Sequence, residues 1–484
     1  MAPHFAPAIP PHLQMWLRVR EYAVPPSMIG TAAARRAAGD WAGACAAARV
    51  DTDLDLRAVR DRHGTAFARR LRADLRRLAP DLLRWHMPRS APDGRLRPGL
   101  TLSLRRYESP GAPPVHLVVR TPPARADAGQ RMSLALWDGS DGPPRHPHPH
   151  PHRRFRLDLH RHLWDAESSG ELASRAGAGP PPGGSVAGGD PWAGAWATDR
   201  WAAEAELLLR AAGRPRGVFT VRLGTRDLAV LELVAPDDTH VPTWRPLPGP
   251  PPPHQAAVLP LLPEAAARPL PDLELLRAGL ITPGRLHPLV GRALAPVAPA
   301  PSDAHRLRRP PRDPHRVECG GEVHRIALRD GVLTAVDHDP AQLRREELLV
   351  ALGGSPLPCL RAIDTVHREP EALPAVRERL DHGDVAGALA VVEGLLGPGA
   401  VLRDGPLREE LESAAARRVD HGLFRADLVA LHPASGTGGS GAGARHAEPD
   451  HRPRLDRAAP KALRLTLRGK RTGRARTRTA LHPN

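Results

Sequence analysis

Proline and glycine interrupt this chain so often that a large share of it must be linker or irregular structure. The sequence contains 57 prolines and 44 glycines among 484 residues. Proline lacks a backbone N–H donor and breaks helix interiors, while glycine loses the most conformational freedom on folding. The run PLPGPPPP at residues 246–253 is a semi-rigid polyproline stretch that cannot contribute to a core. We therefore expect separate folded segments joined by linkers.

These interruptions suggest a domain organisation. A chain of this length is sufficient for two or three domains. The predicted segments are a disordered lead (1–14), an N-terminal α+β domain (15–165) with a His/Pro loop (143–153), a linker (166–190), a central α+β segment (191–295), a second linker (296–314), a C-terminal β-hairpin with helices (315–432) and a disordered basic tail (433–484).

Hydrophobic periodicity predicts an α+β fold in which helical hairpins pack with small antiparallel sheets. Strand-like runs separated by Pro/Gly turns occupy residues 98–137. A basic helix is expected between Asp61 and Leu83, because its apolar residues recur at helical spacing. These apolar residues are Phe67, Leu71, Leu75, Leu78 and Leu82.

The clearest local signal lies at residues 323–338, which read VHRIALRDGVLTAVDH. Two strand-like runs flank Asp330-Gly331, a dipeptide favoured in tight hairpin turns. Asp339 and Pro340 then provide the N-cap and the first residue of a helix. A β-hairpin followed by a helix is therefore predicted.

A Gly-Asp-x-Ala-Gly-Ala pattern occurs twice, at Gly39-Asp40 and at Gly383-Asp384. Glycine can end one helix in the left-handed conformation, and aspartate can cap the next helix. The following small residues allow the two helices to approach closely. The pattern resembles one hairpin of a tetratricopeptide repeat, but no tandem copies of about 34 residues follow. We expect scaffold corners, with both aspartates acting as caps and not as catalytic acids.

The formal net charge of +16 suggests a polyanionic partner, although a GC-rich codon bias would also enrich arginine. Only two lysines occur, and both lie in the C-terminal tail. Between residues 461 and 478 the tail carries basic residues and no acidic ones. They are predicted to bind nucleic acid or an acidic protein through phosphate or carboxylate groups, with a merely solubilising tail as the alternative. The residues are Lys461, Arg464, Arg468, Lys470, Arg471, Arg474, Arg476 and Arg478.

The run HPHPHPH is a weak candidate for a metal site formed by His146, His148, His150 and His152. Neutral imidazoles suit zinc, nickel or copper. Alternating prolines prevent a helix, and successive side chains of an extended chain point in different directions. Expansion of a low-complexity tract is the alternative interpretation.

Other signatures are weak or missing. The cysteines, Cys45, Cys319 and Cys359, form no CxxC pair, which suggests buried or incidental thiols in a reducing cytoplasm. GTGGSG at residues 436–441 matches a dinucleotide-binding pattern but has no preceding strand. No membrane-spanning segment, secretory signal, cofactor or catalytic motif is predicted.

Two stretches of the sequence are similar to stretches in uncharacterised proteins of high-GC actinobacteria. They read RVREYAVPPSMIGTAAARRAAGDWAGACAAA and LDHGDVAGALAVVEGLLG. Some of those proteins carry the label PE-PGRS on composition alone. This chain lacks their N-terminal Pro-Glu module and their long Gly-Gly-x repeats. The resemblance spans residues 15–430 and implies no activity or site residue.

The leading hypothesis is a cytoplasmic, non-enzymatic interaction or scaffold protein whose Arg-rich tail engages a polyanion. An enzyme with a site between the central and C-terminal segments is the first alternative. A metal-binding protein that uses the His/Pro loop is the second.

Overall fold

The computed structural model describes residues 9–426, with gaps within that range. The gaps are residues 110, 140–145, 147, 179–191, 193–195, 226, 235–240, 296–315, 320, 330–331, 369, 371 and 398. The predicted disordered lead (except for residues 9–14) and the basic tail therefore lie outside the described residues.

The N-terminal segment packs helices against a mixed sheet. Its helices are α1 (Pro11–Arg18), α2 (Pro26–Ala37), α3 (Trp41–Ala47), α4 (Leu56–Arg77), α5 (Pro80–His86) and α6 (Leu172–Arg175). Its strands are β1 (Val50–Asp53), β2 (Arg89–Ser90), β3 (Arg95–Leu96), β4 (Thr101–Ser109), β5 (Ala112–Arg120) and β6 (Met132–Trp137). The main sheet has the order β1-β6-β5-β4, in which β1 runs parallel to β6 and the other neighbours are antiparallel.

The predicted basic helix is interrupted twice, by a kink at Gly64 within α4 and by the end of α4. Phe67, Leu71 and Leu75 lie on α4 and are buried in the N-terminal core, as their spacing indicates. However, α4 ends at Arg77, and Pro80 begins α5. Proline disfavours the helical conformation of the residue before it, so the expectation of one continuous helix to Leu83 was wrong.

The central segment contributes to two cores. Its elements are α7 (Trp201–Ala211), β7 (Gly217–Arg222), β8 (Leu228–Val234), β9 (Thr243–Pro246), α8 (Pro253–Ala256), α9 (Glu264–Ala267), α10 (Pro271–Arg277) and α11 (Pro288–Leu294). Antiparallel β7, β8 and β9 pack against α7 around Trp201, Phe219 and Trp244. In contrast, Leu273 of α10 and Val290 of α11 are buried in the N-terminal core. The N-terminal and central segments are therefore packed together.

The C-terminal segment joins a small antiparallel sheet to helices. Its elements are β10 (Arg316–Cys319), β11 (Glu322–Arg329), β12 (Val332–Ala335), α12 (Pro340–Ala351), α13 (Pro358–Arg368), α14 (Leu373–Asp381), α15 (Val385–Leu396) and α16 (Pro406–Arg425). The predicted hairpin is confirmed, since β11 and β12 pair antiparallel with Ile326 opposite Ala335. Its Asp330-Gly331 turn lies in a gap of the description. Asp339 caps α12 as expected, because its carboxylate accepts from the Ala341 amide at 3.1 Å.

Both Gly-Asp corners are confirmed as helix boundaries. Gly39 and Gly383 have φ angles of 76° and 78°, the left-handed conformation that ends α2 and α14. The Asp40 carboxylate accepts from the Gly43 amide at 2.8 Å and caps α3. The Asp384 carboxylate accepts from the Gly387 amide at 3.3 Å and caps α15.

Mixed helices and small, mainly antiparallel sheets confirm the predicted α+β class. Within the described part of the chain, no helix combines the length and the apolar character needed to cross a membrane.

Candidate anion-binding site

A cleft with a volume of about 460 Å³ lies between the N-terminal and central segments. The sequence-based enzyme hypothesis had placed a site elsewhere, between the central and C-terminal segments. Both walls of the cleft carry basic side chains. The lining residues are Arg97, His152, Arg154, Arg222, Leu223, Gly224, Thr225 and Arg268.

The N-terminal wall presents two arginines around one aromatic ring. The guanidinium carbons of Arg97 and Arg154 lie 5.9 and 5.6 Å from the centroid of the Phe155 ring. The backbone of Arg97 is fixed, because its N–H donates to the Pro88 carbonyl at 3.0 Å. Cation–π contacts of this kind hold guanidinium groups in place without neutralising their charge.

The central wall presents Arg222, at the end of β7, and Arg268, directly after α9. The Arg222 side chain donates to the Thr225 carbonyl at 2.9 Å, so it folds back over the β7–β8 turn. The Arg268 guanidinium carbon lies 4.2 Å from the centroid of the Trp196 ring. This wall therefore uses one backbone contact and one aromatic contact to position its cations.

Hydrogen bonds and an ion pair connect the two walls. The Glu264 amide donates to the Arg154 carbonyl at 2.9 Å, and the Arg154 Nε lies 2.7 Å from the Glu264 Oε2. The Arg153 side chain also donates to the Ala257 carbonyl. The cleft is thus a fixed feature of the interface between the two segments.

The positive charges in the cleft are only partly compensated. Among the described residues, no carboxylate lies within 4.0 Å of the Arg97, Arg222 or Arg268 guanidinium. Burial lowers the pKa of Arg154, Glu264 raises it, and the neighbouring arginines lower it further. Burial lowers the pKa of His152, and nearby arginines, Arg154 foremost, lower it further; its Nδ1 accepts from the Arg154 amide at 3.1 Å.

These groups are suited to binding an anion such as phosphate. A planar guanidinium donates two parallel hydrogen bonds to phosphate oxygens, and the Thr225 hydroxyl can provide a further donor. The described lining includes no carboxylate or thiol that could serve as a nucleophile.

The predicted polyanion-binding residues, Lys461 to Arg478, lie outside the described residues, so their role stays a prediction. The histidines of the His/Pro loop are described and face different surroundings. His146 is buried, and its Nε2 lies 2.7 Å from the Thr121 carbonyl. His150 packs edge-on against Trp137, with 5.5 Å between the ring centroids.

His148 and His152 are both exposed, and His152 lines the cleft. Within the described part of the chain these four histidines do not bring three ligand atoms within 4.8 Å of one another. Metal binding by this loop stays a prediction as well.

Sequence reasoning missed the cleft arginines because they come from separate segments without a local motif. Arg153 and Arg154 are adjacent in the sequence, but two neighbouring arginines do not by themselves indicate a site. Sequence reasoning also missed a group of potential metal ligands formed by Cys319, His338 and Cys359.

Comparison with known proteins gives no match: no family model fits the sequence, and no curated protein or solved structure is significantly similar to it.

Proposed function

We propose that this protein binds a phosphate-bearing polyanion, with a nucleic acid backbone as the leading ligand, and acts as a binding protein and not as an enzyme. The observation that carries the proposal is the convergence of Arg97, Arg154, Arg222 and Arg268 on one cleft. Only Arg154 has a carboxylate in ion-pair contact among the described residues. A phosphate group would supply the missing negative charge.

The surroundings of the cleft favour recognition of phosphates over recognition of bases. Proteins that select bases offer free aromatic faces for stacking. Here Phe155 and Trp196 already contact guanidinium groups. The volume of about 460 Å³ lies within the range of small-ligand sites and accommodates a short phosphodiester segment. We therefore expect binding with little sequence preference.

The Arg-rich tail is proposed as a second contact for the same ligand. Residues 461–478 contain eight basic residues and no acidic ones, and such segments bind nucleic acid in a salt-dependent way. The cleft and the tail together would increase affinity beyond that of either contact. A cytoplasmic location belongs to the same proposal, and the free thiols of Cys45, Cys319 and Cys359 support it.

Fluorescence anisotropy with a labelled oligonucleotide tests the cleft. We expect R222Q/R268Q to weaken binding roughly tenfold or more, since each lost phosphate contact removes a charge-assisted hydrogen bond. R214Q/R216Q is the matched control, because both arginines are exposed in the same segment before β7. They lie about 20 Å along β7 from the cleft. Equal losses in the two variants would contradict a specific role for the cleft.

Deletion of residues 461–484 tests the tail separately. We expect the truncated protein to bind more weakly but to remain sensitive to R222Q/R268Q. If the truncated protein binds as tightly as the full chain, the tail makes no contact. If truncation abolishes binding and R222Q/R268Q has no effect in the full chain, the tail alone binds and the cleft proposal fails.

A further inference from the structure

Three side chains with metal-binding atoms converge in the C-terminal segment. Cys319 ends β10, His338 follows β12, and Cys359 lies in the first turn of α13. One ligand atom from each of them lies within 4.8 Å of the other two. The sheet and α13 pack together here, so the residues are close in space despite their separation in sequence.

The distances approach those of a tetrahedral metal site. The His338 Nε2 lies 3.3 Å from the Cys359 Sγ. Zn–S and Zn–N bonds of about 2.3 and 2.0–2.1 Å at tetrahedral angles place two sulfurs about 3.8 Å apart and a sulfur about 3.6 Å from a nitrogen. Shifts of about 1 Å or less would bring all three atoms to ligand positions.

The surroundings leave the thiols without another evident role. Both cysteines are almost fully buried among apolar side chains such as Ala335 and Leu343. A bound divalent metal would stabilise the thiolate form, and the first turn of α13 also favours negative charge.

We propose that Cys319, His338 and Cys359 bind a zinc ion, with the fourth coordination position open to water or to a small exogenous ligand. Two thiolates and an imidazole select zinc over magnesium or calcium. No fourth protein ligand atom lies within the same 4.8 Å among the described residues. His338 is half-buried and could admit solvent, and His324 stacks on it with 4.1 Å between ring centroids.

This site is independent of the proposed polyanion binding. It lies in the C-terminal segment, whereas the cleft is formed by the N-terminal and central segments. A zinc ion here would join the sheet to α13 and stabilise their packing, because metal binding free energy adds to folding free energy. Its open position is typical of sites that exchange a ligand.

The full chain, stripped of metal under reducing conditions, should bind one equivalent of added Zn²⁺, measured by elemental analysis after gel filtration. Bound Co²⁺ should give a thiolate-to-cobalt charge-transfer band together with the strong visible bands of tetrahedral coordination.

H338Q is the main variant, because His338 is half-buried and its loss should leave the fold intact by circular dichroism. We expect it to weaken Zn²⁺ affinity at least tenfold and to change the cobalt spectrum. C319S and C359S should each abolish the charge-transfer band or weaken it strongly. C45S is the matched control, since Cys45 is also a buried free thiol but lies in the N-terminal segment.

H148A/H150A removes two exposed imidazoles of the His/Pro loop and should leave the one equivalent of zinc unchanged. The proposal is overturned if the wild-type chain takes up no Zn²⁺, or if H148A/H150A or C45S loses as much zinc as H338Q. It is also overturned if mass spectrometry shows Cys319 and Cys359 joined in a disulfide in protein isolated from reducing cells.

Discussion

Arg20 and the cleft arginines are the same residue type in opposite situations. The Arg20 guanidinium is buried and donates two hydrogen bonds of 2.8 Å to the Asp272 carboxylate, which also accepts from the Trp85 indole. The guanidinium groups of Arg222 and Arg268 face an open cleft, and among the described residues no carboxylate pairs with them. In an arginine-rich chain, the pairing of each charge therefore says more about its role than the total charge does.

The difference separates charges that stabilise the fold from charges that are available to a ligand. The Asp272 carboxylate offsets the cost of burying Arg20, because an unpaired buried charge costs several kcal/mol. Cleft arginines that gather without acids repel one another, and this repulsion is relieved when an anion binds. A GC-rich codon bias can account for the number of arginines, but it does not account for their pairing.

The largest effect is expected for D272N, which leaves Arg20 buried without its carboxylate. We expect a loss of about 3–5 kcal/mol in the free energy of unfolding, measured by denaturant titration. D61N is the control, because the Arg60–Asp61 pair is exposed and should change stability by less than about 1 kcal/mol. Similar small losses of stability in both variants would contradict a stabilising role for the Arg20–Asp272 pair.

Two buried histidines extend the comparison to pH. Burial lowers the pKa of His86 and of His382 to about 4, and the nearby Arg89 and Arg84 contribute to the shift at His382. In the unfolded chain these histidines take up a proton near pH 6.5, whereas the folded protein resists protonation until about pH 4. The unfolded state thus binds more protons in this window, and stability falls as the pH is lowered through it.

We expect the free energy of unfolding to fall by about 2 kcal/mol for each of these histidines when the pH is lowered from 7 to 5. H382N keeps a side-chain donor near the Glu378 carbonyl but cannot titrate. The free energy of unfolding of this variant should therefore fall by about 2 kcal/mol less than that of the wild type over the same pH interval. H254N, at an exposed histidine, should reproduce the wild-type profile. A wild-type profile in H382N would contradict a depressed pKa for His382.

The smallest effect on stability is expected for R222Q/R268Q. Removing two unpaired charges from the cleft relieves repulsion, so the free energy of unfolding should stay within about 0.5 kcal/mol of wild type or rise. Thermal and denaturant unfolding of the ligand-free protein measure this directly. A loss of more than about 2 kcal/mol would mean that Arg222 and Arg268 stabilise the fold, and their role in binding would need another explanation.

Features that depend on neighbouring residues were predictable from the sequence. Glycine in the left-handed conformation and aspartate at an N-cap are local chemistry, and both corners, Gly39-Asp40 and Gly383-Asp384, occur as expected. The β11–β12 hairpin follows from alternating hydrophobicity around a turn signal. The break before Pro80 was also readable from local rules, although the longer apolar periodicity concealed it.

Features that depend on tertiary packing were not predictable. Arg97 and Arg268 are more than 170 positions apart in the sequence and meet only because the central segment packs on the N-terminal one. Cys319 and Cys359 likewise meet because α13 packs on β10. Without a fixed spacing or motif, single-sequence reasoning could not bring these residues together.

Asp384 combines a feature that depends on neighbouring residues with one that depends on tertiary packing. Its role as a cap follows from the sequence, but its carboxylate also lies 3.1 Å from Arg49 and 3.0 Å from Arg379. The contact with Arg49 ties the C-terminal helices to the N-terminal segment. A local pattern identified the turn, and only the fold revealed the partner.

Salt dependence of oligonucleotide binding is the most direct test of the cleft as a phosphate site. Each phosphate neutralised by an arginine contributes about 0.7–0.9 to the slope of log K against log salt concentration. We expect R222Q/R268Q to reduce the magnitude of that slope by about 1.4–1.8 relative to wild type. R214Q/R216Q should leave it unchanged. An unchanged slope in R222Q/R268Q, or an equal reduction in both variants, would contradict phosphate binding in the cleft.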